Sequence, residues 1–256
     1  MDDVALVRAD NPGPFTLEGT NTWLVGRDPC WVVDPGPALP EHVRRVAADA
    51  GARGGVGGIV LTHDHLDHAA GVPGLLALTG DVPVGAARYA GASEHLADGT
   101  RTGPFTAIAT PGHAPDHLAF LAGRALFTGD AVLGRGSVFI APDPGALRGY
   151  LAAIERMLAL DPEVICPGHG PLVMEPHAKL EEYREHRLDR ERRLVEALGD
   201  GLRSPDALLD RVWSDAPSVL RPAAAVTLAA HLDKLAEEGR LPAGVDWPSP
   251  AQYGGL

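Results

Sequence analysis

The sequence predicts a mixed α/β domain over its first 170 or so residues, followed by a helical module. Three observations carry this. Short apolar runs rich in β-branched residues recur early in the chain. Segments with helical spacing lie between them. After Pro171 the texture turns to long, charged, amphipathic stretches.

In order, Thr22–Val25, Trp31–Val33, Gly58–Leu61, Val82–Val84 and Thr106–Ala109 read as strands, each bounded by Gly, Pro, Asp or Asn. PEHVRRVAADAGA opens on Pro40, suited to a first helical turn, and spaces Val43, Val46 and Ala47 at helical intervals. VPGLLAL is a second, shorter helix. LAFLAG and RALFTGD form a hairpin through Gly123. LRGYLAAIERMLAL places Leu147, Leu151, Ile154 and Leu158 on one face and stops before Asp161-Pro162. EVICPGHG is a last strand running into a loop. Beyond it, residues 176–198 read as one charged helix, and Ser204-Pro205 as an N-cap with Pro at the first helical position. AAAVTLAAHLDKLAEEGRL reads as a helix halted by Gly239. The expected division is 1–171 for the main domain and 172–256 for the helical module.

At 256 residues, 45% hydrophobic and 22% charged, the chain has the balance of a globular enzyme. The net charge of −12 gives no basic excess of the kind a nucleic-acid binder shows, and counts against polyanionic substrates without excluding them. No run approaches a membrane span. Two cysteines, Cys30 and Cys166, are too few for a disulfide framework, so a reducing, cytoplasmic setting is expected, with no membrane and no evident protein partner. Oligomeric state is not legible.

Chemistry concentrates in four fragments, each where a strand meets a loop: VLTHDHLDH, TPGHAPDH, LFTGD and ICPGHG. Imidazoles and carboxylates suit borderline divalent metals such as zinc, with manganese or iron as alternatives. One ion can take His63, His65 and His113, and a second Asp67, His68 and His169, with Asp130 able to bridge them. Seven ligands for two ions leave room for a shared water, the open position a catalytic site needs. His117 either orients a ligand or caps the hairpin. Asn21 either reaches the cleft on the substrate side or forms a turn. Lone histidines such as His42, His95 and His231 read as surface or core filling.

Taken together, THDHLDH, TPGH, FTGD and PGHG resemble the metallo-β-lactamase superfamily. The resemblance implies an αββα sandwich, an α/β fold of four layers with two mixed sheets face to face, helices outside and metals at one edge. NPGPFTLEGTNTWLVG, GDAVLGRGSVF, EPHAKLEEYREHRLDRERRL and HLDKLAEEGRL are similar to the β-lactamase-like protein 2 branch, over nearly the whole chain. That branch implies a C-terminal winged-helix-like module. Its animal member is a mitochondrial endoribonuclease for single-stranded RNA, and related fungal proteins are thioesterases. Ala70-Gly71 stands where the family often has Gly-Gly. The full Asp67-His68 pair argues against β-lactam hydrolysis. The long insert of the RNA-processing nucleases has no room between Asp130 and His169. Glyoxalase II shares the four motifs but not GTNTWLVG or the C-terminal module.

The expected chemistry is hydrolysis by a hydroxide shared between two zinc ions, with Asp67 orienting the water and moving a proton. Three substrate readings stay open. The reading leans to the phosphodiester of single-stranded RNA, which follows the resemblance, with Arg187, Arg190, Arg192 and Arg193 as phosphate contacts. The same arginines could instead pair along the helix with Glu185, Asp189, Glu191 and Glu196. A small ester or thioester suits the acidic surface better. A non-catalytic metal-binding or interaction protein is the third, disfavoured by so many ligands.

Overall fold

The structure, a computed structural model, describes residues 3–141 and 143–245. It divides into two compact units. The first is Met1–Thr110 with Asp116–Ser137 and Leu160–Pro176; the second is Pro111–Pro115 with Val138–Ala159 and His177–Leu256. Of the expected module, residues 246–256 lie outside the described residues.

The first unit is built on two mixed sheets. The first sheet orders β1 (Val4–Arg8), β2 (Asn21–Val25), β3 (Cys30–Val33), β4 (Val56–Val60), β5 (Val84–Ala86) and β6 (Glu94–His95). Between these strands run helices α1 (Pro40–Gly51), α2 (Leu66–Ala69) and α3 (Val72–Thr79). The second sheet contains β7 (Arg101–Thr102), β8 (Phe105–Ala109), β9 (Leu118–Ala122), β10 (Ala125–Gly129) and β11 (Val164–Pro167), in the spatial order β11-β10-β9-β8-β7. The expected hairpin is there, with Ala122 opposite Ala125.

Alternation along each strand assigns its two faces. Trp23 and Val25 of β2, with Val33 and Val60, pack with Phe105, Phe120 and Phe127 between the sheets. Trp23 meets Phe127 edge-on at 6.2 Å between centroids. Leu24, Val32, Ile59 and Leu61 point the other way, against Val43 and Val46 of α1 and Val72 and Leu75 of α3. Each fully buried Phe or Leu contributes about 2–3 kcal/mol of transfer free energy, so a one-residue slip in β2 would be expensive.

Four strands depart from the sequence reading. β1 was not foreseen; its half-exposed VALVR sits at a sheet edge and shows no clean alternation. The strand expected at Val82–Val84 begins at Val84, because Pro83 has no N–H to give the ladder and contributes only its carbonyl, to Ile59. β6 and β7 have two residues each, too short for periodicity to register.

The second unit is helical among its described residues: α4 (Ala146–Ala159), the part of α5 (Pro176–Gly199) beyond Pro176, α6 (Pro205–Val212), a 3-10 turn at Ser218–Leu220 and α7 (Arg221–Glu237). Leu194, Leu198, Leu208, Val212, Leu228 and Leu232 lead its core. Ser204 caps α6 as expected, its hydroxyl accepting from Ala207 N–H at 3.4 Å. The buried face of α4 is Leu147, Tyr150, Ile154 and Met157; Leu151 and Leu158 are only half-buried.

The α5 arginines take neither course expected of them as a group. Arg187 and Arg190 are 2% and 5% exposed. Arg187 donates to the Val138 carbonyl and lies over the Tyr150 ring. Arg190 forms a bidentate pair with Asp215, both bonds 2.8 Å, donates to the Val212 carbonyl and stacks on Trp213. Of the helical pairings, Arg192 bonds Asp189 at 2.7 Å, while Glu191 turns to Lys234 and Arg240. Buried and engaged, Arg187 and Arg190 are not phosphate contacts.

Candidate metal centre

The predicted ligands leave the ends of four strands. His63, His65, Asp67 and His68 follow β4 and run into α2; His113 follows β8, Asp130 follows β10, and His169 follows β11. β10 and β11 are parallel, so Asp130 and His169 leave the same sheet edge. The register shifts between Phe127 and Gly129, next to Asp130. Within the first unit two triads could hold an ion, the ligand atoms of each lying within 4.8 Å of one another: Asp67, His68 and His169; and His63, His68 and Asp130. The two share His68; His65 lies in the same unit, and His113 in the second.

Glycine makes the closeness sterically possible. A Cβ on Gly168 would stand 2.6 Å from Asp130 Oδ1 and 2.7 Å from His68 Cε1. On Gly129, with φ of +47°, it would stand 2.5 Å from Thr62 Oγ1.

Hydrogen bonds fix the tautomers. His68 Nδ1 donates to Asp34 Oδ2 at 2.8 Å, and His169 Nδ1 faces the Gly19 carbonyl at 3.4 Å. Each ring therefore carries its proton on Nδ1 and turns the lone pair of Nε2 inward. The two Nε2 atoms are 3.3 Å apart. Asp67 Oδ2 lies 3.5 Å from His68 Nε2 and 3.3 Å from His169 Nε2; Asp130 Oδ1 lies 3.4 and 3.3 Å from them. Four acceptors thus face one another in a buried space, an arrangement that needs a proton or a cation at its centre. The donor set fits a divalent metal.

Titration follows the same crowding. Burial alone would lower His169, but Asp130 and Asp67 outweigh it and push it up to about 9. His68, also penalised by burial, is raised well above its usual range by Asp130 and Asp34. Burial works to raise Asp67, yet its bond to His169 and the charge of His68 bring it to about 2. Asp130 is held well below the carboxylate range: burial opposes this, and His169 and His68 prevail.

Two residues that the sequence reading passed over hold this set in place. Asp34, in the VVDPG that ends β3, accepts from Thr62 N–H at 2.8 Å and Thr62 Oγ1 at 2.7 Å besides His68. Since Thr62 gives its only hydroxyl proton to Asp34, it accepts from His63 Nδ1 at 3.0 Å, which makes Nε2 the lone-pair nitrogen of His63. Its one mark in the sequence is an acid in a strand–Asp-Pro-Gly turn, which reads as turn chemistry; in the structure its φ is +51°.

His117 is buried. Its Nε2 accepts from the Asp130 backbone N–H at 3.1 Å, so its Nδ1 donates to Thr110 Oγ1 at 2.7 Å. Asn21 is fully buried, and neither expected placement describes it. Its amide donates to the Pro167 and Gly170 carbonyls, at 3.0 and 2.9 Å, and its oxygen accepts from Arg8 Nε at 3.0 Å. It ties down the His169 loop and has no polar atom to spare for a substrate.

Residues 15–102 and 94–169 match the metallo-β-lactamase superfamily, and 204–242 the β-lactamase-associated winged helix domain. A β-lactamase-like protein 2 homolog of Caenorhabditis elegans is 31% identical over 93% of this chain and 85% of its own. An atrochrysone carboxyl ACP thioesterase of Aspergillus chevalieri is 36% identical over 76% of this chain and 65% of its own. Among solved structures, a β-lactamase domain protein from Burkholderia ambifaria is similar with a TM-score of 0.80 at 19% identity, covering 93% of this chain and 87% of that one. TTHA1623 in a di-iron-bound form is 31% identical, with a TM-score of 0.53 over 66% of this chain and 94% of that one. The chain belongs to the metallo-β-lactamase superfamily and is a metal-dependent hydrolase with a C-terminal winged-helix domain.

Proposed function

We propose that the protein hydrolyses a carboxylic thioester or small ester at a two-metal centre. The observation that carries the metal centre is the inward-facing acceptor set of Asp67, His68, Asp130 and His169. His63, His65 and His113 would hold one ion and Asp67, His68 and His169 the other, with Asp130 between. Zinc is the ion that a histidine-rich set suits best, and the carboxylates also suit iron or manganese. When bound, such ions lower the pKa of water and polarise the oxygen of the bond under attack.

The chain's own residues supply the rest. Asp34 fixes the ring of His68, and His117 fixes the backbone of Asp130. Asp67, ionised at neutral pH, accepts a hydrogen bond from the attacking water and receives its proton in passing. The chemistry is assigned to residues 1–171, and 172–256 are an accessory module. Two buried free cysteines accord with a reducing, cytoplasmic compartment.

An uncharged acyl substrate is favoured by the surroundings of the ligands. Leu66, between His65 and Asp67, is 79% exposed. Asp64 and Asp116 lie within reach of each other's charge beside His65. The two carboxylates oppose an anionic phosphodiester backbone, and Arg187 and Arg190 are engaged elsewhere. Single-stranded RNA is the second reading, favoured by the nearly full-length match to the β-lactamase-like protein 2 homolog.

The test is turnover by zinc-loaded protein on acyl thioesters and, separately, on fluorescent single-stranded RNA, each with a His63→Ala control. Thioester hydrolysis that disappears in the control supports the proposal. RNA cleavage that disappears in the control, without thioester turnover, replaces the substrate. Silence across a wide ester and phosphodiester panel favours a non-catalytic metal protein.

A further inference from the structure

The stretch Gly19-Thr20-Asn21-Thr22 has a use that the ligand motifs leave unexplained. Four consecutive residues each grip a different part of the metal centre. The Gly19 carbonyl faces His169 Nδ1 at 3.4 Å. Thr20 pairs with His169 in an antiparallel bridge, and its hydroxyl points to Asp67 Oδ2 at 3.3 Å. Asn21 bonds the His169 loop three times, through its backbone N–H to the Gly168 carbonyl at 2.7 Å and through its amide to the Pro167 and Gly170 carbonyls. The Thr22 hydroxyl donates to the Asp34 carbonyl at 2.6 Å.

Donor logic gives each contact a direction. Asn11 Nδ2 donates to Thr20 Oγ1 at 2.9 Å, so the Thr20 proton goes to Asp67. Asn11 Oδ1 also accepts from the Thr20 N–H at 2.9 Å, holding the residue at both ends. Thr22 gives its proton to Asp34, so it accepts from His42 Nε2 at 2.9 Å. His42, which reads from sequence as filler, thereby braces Asp34, whose backbone sits at a φ of +51° and whose carboxylate carries His68. Thr20, Asn21, Thr22, Asp34 and His42 are all buried, which keeps water from replacing these bonds.

We propose that residues 19–21 are a positioning strap for the ion held by Asp67, His68 and His169, and that they set the affinity of that position separately from the position of His63, His65 and His113. His63 is oriented through Thr62, which bonds Asp34, so Thr22 serves both sides while Gly19, Thr20 and Asn21 act on Asp67 and the His169 loop alone. The inference rests on the two-metal reading above.

Cobalt(II) tests it, because its visible absorption reports coordination without any turnover. The full chain is stripped of metal and titrated with cobalt as wild type, Thr20→Val, Thr20→Ser and Asn11→Ala. The wild type is expected to take two ions. Thr20→Val keeps one at wild-type affinity and weakens the other by roughly 10- to 100-fold, as loss of a group supporting a ligand does. Thr20→Ser, which keeps the hydroxyl, restores it. If Thr20→Val does not fold, Asn11→Ala removes both bonds to Thr20 while touching no ligand, and the same position weakens. Two ions at wild-type affinity in either folded variant, or equal weakening of both, overturns the strap. A wild type that binds no cobalt overturns the metal centre itself and is distinguished from failure of the strap by that arm alone.

Discussion

Two regions of this molecule bury charge, and they do it in opposite ways. In the helical unit, each buried cation meets a matching partner: Arg190 has the Asp215 carboxylate and Arg187 a carbonyl and a ring face, while the half-buried Lys234 has Glu191. At the metal centre, acceptor faces acceptor: two imidazole nitrogens and two carboxylates point into the same space. The first pattern is complete within the protein, and removing one partner would leave a buried charge unpaired. The second is complete only when a proton or a cation sits among them, which is why His68 and His169 are pushed up. Buried charge alone therefore does not mark a functional site; the sign and direction of what faces it does.

The largest effect expected from this contrast is at the centre. His68→Ala or Asp67→Ala should lower turnover by roughly a hundredfold to a thousandfold while the fold survives. Steady-state kinetics beside circular dichroism checks this, and hydrolysis near the wild-type rate by Asp67→Ala would break the contrast. Next comes the helical unit. Arg190→Ala removes a bidentate pair and a carbonyl bond, and should cost about 2–3 kcal/mol in urea unfolding with metal content unchanged. A loss of metal with no loss of stability would reverse the roles assigned to the two regions. The smallest is Arg192→Ala. Its exposed pair with Asp189 is worth within about 0.5 kcal/mol, so a cost similar to that of Arg190→Ala would show that burial was the wrong criterion.

How much was legible follows the range of the interactions. The strands around Trp23, Val32 and Phe105, the hairpin and the caps declare themselves through local spacing, and the ligand motifs through residue type. Asp34 was hidden because an acid in a strand–Pro-Gly turn reads as turn chemistry until His68 is seen against it. The α5 arginines misled for the same reason: a helical repeat shows neighbours at three and four residues, whereas Arg190 finds Asp215 across 25. Asn21 and His42 carry no local mark at all. Their partners are the carbonyls of Pro167 and Gly170 and the hydroxyl of Thr22, which no motif spells out.

The bonds from Asn21 to Pro167 and Gly170 join residues 146 and 149 apart, and His68 meets His169 across 101. Closing such long loops is what slows a folding chain. During synthesis, His63, His65, Asp67 and His68 leave the ribosome well before His169 exists. If these residues hold metal as proposed, the position shared by Asp67, His68 and His169 stays incomplete until β11 docks beside β10.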